Sequence, residues 1–197
     1  MRRRQKYHSM FREKKKVVTF ELVKELFSWG FYTLFALFVA FVLVLAFGKR
    51  VRTIGDSMES SLSNGQSVLV DRIVYKLFSP SKGDVIVFLP NGNEKSHYYI
   101  KRVVAVSGET VQIKDGILYV NDEAVSDDAH DYDKMEEAGI AENEITLGNG
   151  EFFVLGDNRN SSEDSRSANI GVVKLSTIAG KAWFSYGSSN GNNGFVK

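Results

Sequence analysis

YYIKRVVAV, residues Tyr98 to Val106, decides how this chain folds and where its chemistry can lie. Successive side chains of a strand point to opposite faces. Tyr99, Lys101, Val103 and Ala105 therefore share one face, and Ile100, Arg102, Val104 and Val106 share the other. Both faces are largely apolar, which predicts a central strand buried on both sides, and each face carries one cation. A guanidinium cannot usefully lose its proton, but an ammonium can once it is desolvated. Lys101 is thus a candidate base. The plainer alternative is a lysine at a strand end, its stem buried and its head in water.

Outward from this strand the same alternation recurs. SVLVDRIVY (67–75), DVIVFLP (84–90), TVQIK (110–114), ILYVN (117–121), EFFVLGD (151–157) and KAWFSY (181–186) are short and rich in β-branched and aromatic residues. Asp115-Gly116 between two of them is a two-residue hairpin signal. A further turn is marked by Gly148 to Gly150. No long amphipathic helix is predicted in this region, so residues 48–197 read as a mostly β domain. Residues 122–144 break the rhythm; they are acidic and read as a solvated surface excursion. The Gly187 to Gly194 stretch reads as a flexible end.

The N-terminal quarter is of another kind. LFSWGFYTLFALFVAFVLVLAF, Leu26 to Phe47, carries no charge over 22 residues. A helix of that length spans about 33 Å, enough for a bilayer core. It has no polar stripe, and Trp29 and Tyr32 lie near its first end, where amphipathic rings favour the interface. The run is longer than the about 7–15 apolar residues of a cleaved signal, so a retained transmembrane anchor is expected. Residues 1–16 carry eight basic residues against Glu13 alone, whereas from Lys49 onward 16 basic face 21 acidic residues. Nucleic-acid binding would explain the basic head but not the acidic body. The Lys/Arg bias predicts a cytoplasmic segment over 1–25, a span over 26–47 and an extracytoplasmic domain over 48–197. There is no cysteine, hence no disulfide framework and no thiol nucleophile.

Two further stretches can carry chemistry. TIGDSMESSL, Thr53 to Leu62, places Ser57 about ten residues past the apolar run. GDNRNSSEDSR, Gly156 to Arg166, crowds Asp157, Arg159, Asp164 and Arg166 among hydroxyls directly after an apolar strand, a pattern that favours a network of carboxylate–guanidinium pairs beside a site. His8 lies before the span and His130 in the acidic stretch, leaving His97 as the only histidine able to serve Ser57. No paired-histidine or H-E-x-x-H spacing suggests a metal.

With these stretches in order, the chain resembles the bacterial type I signal peptidases, membrane-anchored serine proteases with a Ser–Lys dyad. GDSMESSL resembles their nucleophile box, GDVIVF (83–88) the strand after it, YIKRVVAVSGETV (99–111) the lysine strand, and GDNRNSSEDSR the final network. The resemblance implies Ser57 as nucleophile, Lys101 as general base and Ser162 as a hydrogen-bond partner that orients the amine. It implies Asp157, Asp164 and Arg166 as braces, with an Asp164–Arg166 salt bridge, and Met58 in the substrate groove. Gly55 stands where relatives often carry a hydroxyl that helps hold the oxyanion, so that task would fall to backbone N–H groups, chiefly that of Ser57. The box departs from the usual S-M-x-P-T-L: Ser60 replaces the proline and Ser61 the threonine. The implied partners are precursor proteins with signal peptides and the lipid bilayer, with no cofactor, metal or nucleic acid. The alternatives are a non-proteolytic or dedicated factor that assists assembly of particular exported subunits, a self-cleaving Ser–Lys regulator, or an adhesion ectodomain on an anchor.

Overall fold

A computed structural model of the chain describes residues 20–125, 132–187 and 193–196. The basic head, His8, His130 and most of the Gly187–Gly194 end lie outside the described residues. Helix α1 runs from Phe20 to Phe47 and begins earlier than the charge-free run. It carries Glu21, Lys24 and Glu25 in its first turns, then an unbroken apolar stretch. Its Phe20–Leu45 part is long and apolar enough to cross a membrane. Its large apolar side chains, Phe31, Leu34, Phe38 and Phe41 among them, are exposed. Chain contacts divide the molecule after Val42, and the β domain forms a unit of its own.

That domain is mostly β, with every strand pairing antiparallel. The larger sheet contains β1 (Lys49–Arg52), β2 (Ser67–Asp71), β3 (Val85–Phe88), β4 (Tyr99–Ala105), β9 (Glu151–Leu155), β10 (Val173–Lys174), β11 (Ile178–Tyr186) and β12 (Gly194–Phe195). Their order is β1-β2-β11-β3-β4-β9-β10, with β12 on the side of β11. The smaller sheet comprises β5 (Thr110–Lys114), β6 (Ile117–Val120), β7 (Glu123–Ala124) and β8 (Ile145–Thr146), ordered β7-β6-β5-β8. Asp115 and Gly116 both have positive φ, 51° and 76°, and close the β5–β6 hairpin.

β4 is central, as its two-faced apolar pattern predicts. It lies between β3 and β9, and every residue after Tyr99 is buried. Its side chains enter all three hydrophobic clusters: Ile100 packs with Met58, Leu62 and Val85; Val103 with Phe88 and Phe152; and Val104 and Ala105 with Ile113, Phe153 and Leu155.

Two expectations need correcting. The run 67–75 does not stay extended: the Asp71 Oδ1 carboxylate accepts from the N–H groups of Ile73 and Val74, turning the chain into the short helix α2 (Val74–Leu77). This local side-chain turn outcompetes the β pattern there. The acidic stretch is exposed from Asp122 to Val125, as expected, but from Tyr132 onward it is pinned to the domain rather than wholly solvated. Met135 and Ala141 are buried in the core, the Ile140 N–H donates to the Arg166 carbonyl, and the Asn160 amide donates to the Lys134 carbonyl. Glu136 and Glu137 are exposed, while the apolar residues on either side of them, Met135 and Ala141, anchor the segment.

Candidate active site

The pairing of β3 with β4 and the turn after β1 bring Ser57 and Lys101 together across 44 residues of sequence. Lys101 Nζ donates to Ser57 Oγ at 2.6 Å. Lys101 is only 3% exposed. Burial drives its pKa down from the usual lysine range to about 8, against the opposing pull of Asp164 and Glu163. A meaningful share of the amine is therefore neutral near neutrality, and for that share the contact reverses, the hydroxyl donating to nitrogen.

Both groups line a groove of about 470 Å³ shared by Ile54, Gly55, Met58, Tyr99 and Glu163. Met58 forms its floor while packing into the core beneath, 2% exposed. Gly55 has φ of 80° and donates its N–H to Asn64 Oδ1 at 3.2 Å. The Ser57 N–H, by contrast, donates to no group among the described residues. His97 also lines the groove, but Ser57 Oγ is bonded to the lysine.

The loop after β9 carries the network. Arg166 grips Asp164 through Nε to Oδ1 at 2.8 Å and Nη2 to Oδ2 at 3.0 Å, and also donates to the carbonyls of Arg159 and Glu137. Asp157 pairs outside its own loop, with Arg102 on the reverse face of β4. Arg102 also donates to Ser61 Oγ at 3.0 Å and to the Gly83 carbonyl at 2.8 Å. Ser61 thus keeps the hydroxyl of the threonine it replaces. The Asn158 N–H donates to the Ser57 carbonyl at 3.1 Å, fastening this loop to the serine turn. Burial would raise the Asp157 carboxyl, but Arg102, with Ser61 and Tyr132, holds it below the ordinary carboxylate range.

One expected contact is not made. Ser162 Oγ is buried without a hydrogen-bond partner, so it does not reach the lysine amine here. It packs against Gly156, where an added Cβ would lie 2.2 Å from Ser162 Oγ and 2.5 Å from the Ser57 carbonyl oxygen. Sequence reasoning missed Tyr132, whose hydroxyl donates to Asp157 Oδ1 at 3.2 Å and whose ring stacks on Arg159 with the guanidinium 3.8 Å from its centre. The signal available was an aromatic residue alone in an acidic stretch.

The β domain presents a serine hydroxyl to a buried lysine amine in an open groove, an arrangement whose chemistry suits a serine hydrolase with lysine in place of histidine. Comparison with known proteins agrees. The family model described as Signal peptidase, peptidase S26 matches residues 26–187. Signal peptidase IB of Staphylococcus aureus is 32% identical over 181 residues, covering 83% of this chain and 90% of its own. Signal peptidase I of Bacillus licheniformis is 28% identical over 165 residues, covering 81% and 87%. A crystal structure of a signal peptidase I from Enterococcus faecalis V583 matches with a TM-score of 0.42 and 29% identity, covering 53% of this chain and 97% of that one. The chain belongs to the signal peptidase family, peptidase S26, and is a hydrolase of the serine endopeptidase type.

Proposed function

We propose that this chain is a membrane-anchored endopeptidase that removes signal peptides from exported proteins, with Ser57 as nucleophile and Lys101 as general base. The single observation that supports it is the 2.6 Å contact between a buried lysine amine and Ser57 Oγ in an open groove. Neutral Lys101 takes the hydroxyl proton as Ser57 Oγ attacks the scissile carbonyl, and the tetrahedral oxyanion is met by the Ser57 N–H. Collapse breaks the C–N bond, Lys101 returns the proton to the leaving amine, and an acyl-enzyme remains. A water that gives its proton to the same lysine then releases the acyl group. Asp157, Asp164 and Arg166 hold the surrounding loop, and Met58 shapes the groove floor.

Signal sequences end in small residues, so cleavage follows a small residue. The helix Phe20–Phe47 anchors the chain with residues 1–25 in the cytoplasm and the β domain outside. A shared bilayer raises the effective concentration of a substrate whose apolar segment is still inserted. The test is incubation of the purified full chain with precursor peptides. Cleavage after a small residue, abolished in Ser57→Ala and in Lys101→Ala with folding intact, is the expected result. Cleavage surviving in Lys101→Ala but lost in His97→Ala would sink the dyad in favour of a Ser–His pair.

A further inference from the structure

A second cavity, of about 410 Å³, shares Tyr98 with the groove and is bounded also by Lys49, Arg72, Lys76, Tyr75 and Thr177. No carboxylate among the described residues lines it. Lys49 Nζ donates to the Tyr98 hydroxyl and lies over its ring, 4.2 Å from the centre, so its charge is held in place but not neutralised. The side chains of Arg72 and Lys76 make no hydrogen bond or ion pair among the described residues. Other cations in this domain do find acids: Lys181 pairs with Asp84 and Lys82 with Glu109. The carboxylates next to the cavity are engaged elsewhere, Asp84 with Lys181 and the Tyr75 hydroxyl and Asp71 with the N–H groups of Ile73 and Val74, so an anion supplied from outside would be attracted by the three cations that line it.

Beside the cavity stands an apolar ridge. Ile73, Leu77 and Phe78 are 37%, 71% and 69% exposed. The turn through α2 sets Arg72 and Lys76 one helical turn apart, and Ile73 and Leu77 likewise. Cations in one row and bulky apolar side chains in the next form the pattern of segments that lie in a membrane interface. Chain length places it there. Lys49 follows Phe47, the last residue of α1, by two residues, which allows at most about 7 Å of chain between them. If α1 spans the bilayer, as proposed above and as this inference requires, Lys49 cannot leave the headgroup region.

We propose that the cavity bounded by Lys49, Arg72 and Lys76 seats the phosphate of an anionic lipid, with Ile73, Leu77 and Phe78 entering the interface beside it. Arg72 and Lys76 supply charge-assisted donors and Lys49, braced by Tyr98, closes the third side. A lipid phosphate fits better than a free one because the apolar ridge would otherwise remain in water. Bound in this way, the β domain is held at a second point besides its anchor.

The absence of cysteine allows a clean measurement. A spin label at Ser79→Cys, exposed and next to Phe78, is placed on the full chain in phosphatidylcholine nanodiscs with and without phosphatidylglycerol. The expected result is a label more accessible to oxygen than to a water-soluble nickel complex only when the anionic lipid is present. Arg72→Gln/Lys76→Gln should return it to water, since each cation near an anionic leaflet contributes roughly fivefold in partition, on the order of 25-fold for the pair. Unchanged melting of that variant shows that the fold is intact. A label that stays aqueous in anionic discs, while the chain resists alkaline extraction from membranes, overturns the lipid seat and leaves the anchor standing. Immersion that ignores lipid charge, or ordering by inorganic phosphate alone in phosphatidylcholine discs, overturns it as well. Release of the wild-type chain by alkaline wash instead overturns the anchor, and this inference with it.

Discussion

Arg102 holds Asp157 in a two-pronged grip, Nε to Oδ1 and Nη2 to Oδ2, each 2.7 Å, with the paired groups almost fully excluded from water. The same guanidinium reaches Ser61 in the serine turn, so one side chain ties the β9 loop to the nucleophile box. Removing one partner leaves the other charge buried and alone, at a cost of about 3–5 kcal/mol. Asp157→Leu should therefore lower the urea midpoint sharply, whereas Arg102→Met combined with Asp157→Leu should recover most of it. Turnover should not recover in the double variant, because the Ser61 tether is lost as well. A double variant as active as wild type would show that the pair contributes stability alone.

The pH profile should report Lys101. Burial lowers its pKa to about 8, so kcat/KM should rise with pH through that region as the amine loses its proton. Glu163, held at the groove rim by the Tyr99 hydroxyl at 3.1 Å, opposes the downward shift. Glu163→Gln removes that opposition, and the acid limb should move to lower pH. A limb that stays in place in Glu163→Gln would mean that this carboxylate is screened from the amine by water.

A neutral-preferring lysine also has a stability signature. The unfolded chain binds the proton more tightly, so between about 8 and the ordinary lysine value it carries more protons than the native state, and stability rises with pH. Below about 8 the native amine is charged as well, and the full cost of burying it applies. A tenfold change in a protonation equilibrium is worth about 1.4 kcal/mol. Lys101→Met should thus raise stability at pH 7, on the order of 2 kcal/mol, while abolishing cleavage. Calorimetry at about pH 7 and about pH 10 checks it: the gain over wild type should shrink at the higher pH.

Ser60 has φ of 100°. Proline is confined near about −65°, so the residue usual in the family's box cannot take this conformation, and a serine there is itself strained. Ser60→Gly should stabilise the domain by about 1 kcal/mol and Ser60→Pro should destabilise it or rebuild the turn. Thermal melts of the two variants should move in opposite directions.

How far the sequence could be read follows from how local each signal was. Lys101 was visible because a cation on a strand apolar on both faces must be buried, and β4 is buried after its first residue. The Asp115-Gly116 hairpin was visible because its two positive φ values demand those residue types. β1 was not: KRVR is mostly charged and becomes a strand only through its register with β2, Val51 opposite Val68. The partner of Asp157 was hidden for the same reason, since two arginines lie nearby in sequence but the one it takes is 55 residues away. Composition hid the segment from Tyr132 to Glu144, where a few buried apolar residues outweigh many exposed acids.

Gly156 marks how closely the network approaches Ser57. A Cβ at this position would meet Ser162 Cβ at 2.5 Å and the Ser57 carbonyl oxygen at 2.5 Å, contacts that real side chains do not make. The backbone leaving β9 can pass the serine turn only because residue 156 has no side chain. In Gly156→Ala either the loop retreats, stretching the Asn158 N–H bond to the Ser57 carbonyl, or the serine turn shifts away from Lys101. Both displace the hydroxyl from its base, and a displacement of about 1 Å costs on the order of 100-fold in rate. We expect kcat to fall by about that much with KM little changed, because the far walls of the groove are untouched. Single-turnover cleavage of a precursor peptide measures it directly. Near-normal kcat in a folded Gly156→Ala would show that this contact has slack and that the loop does not position Ser57.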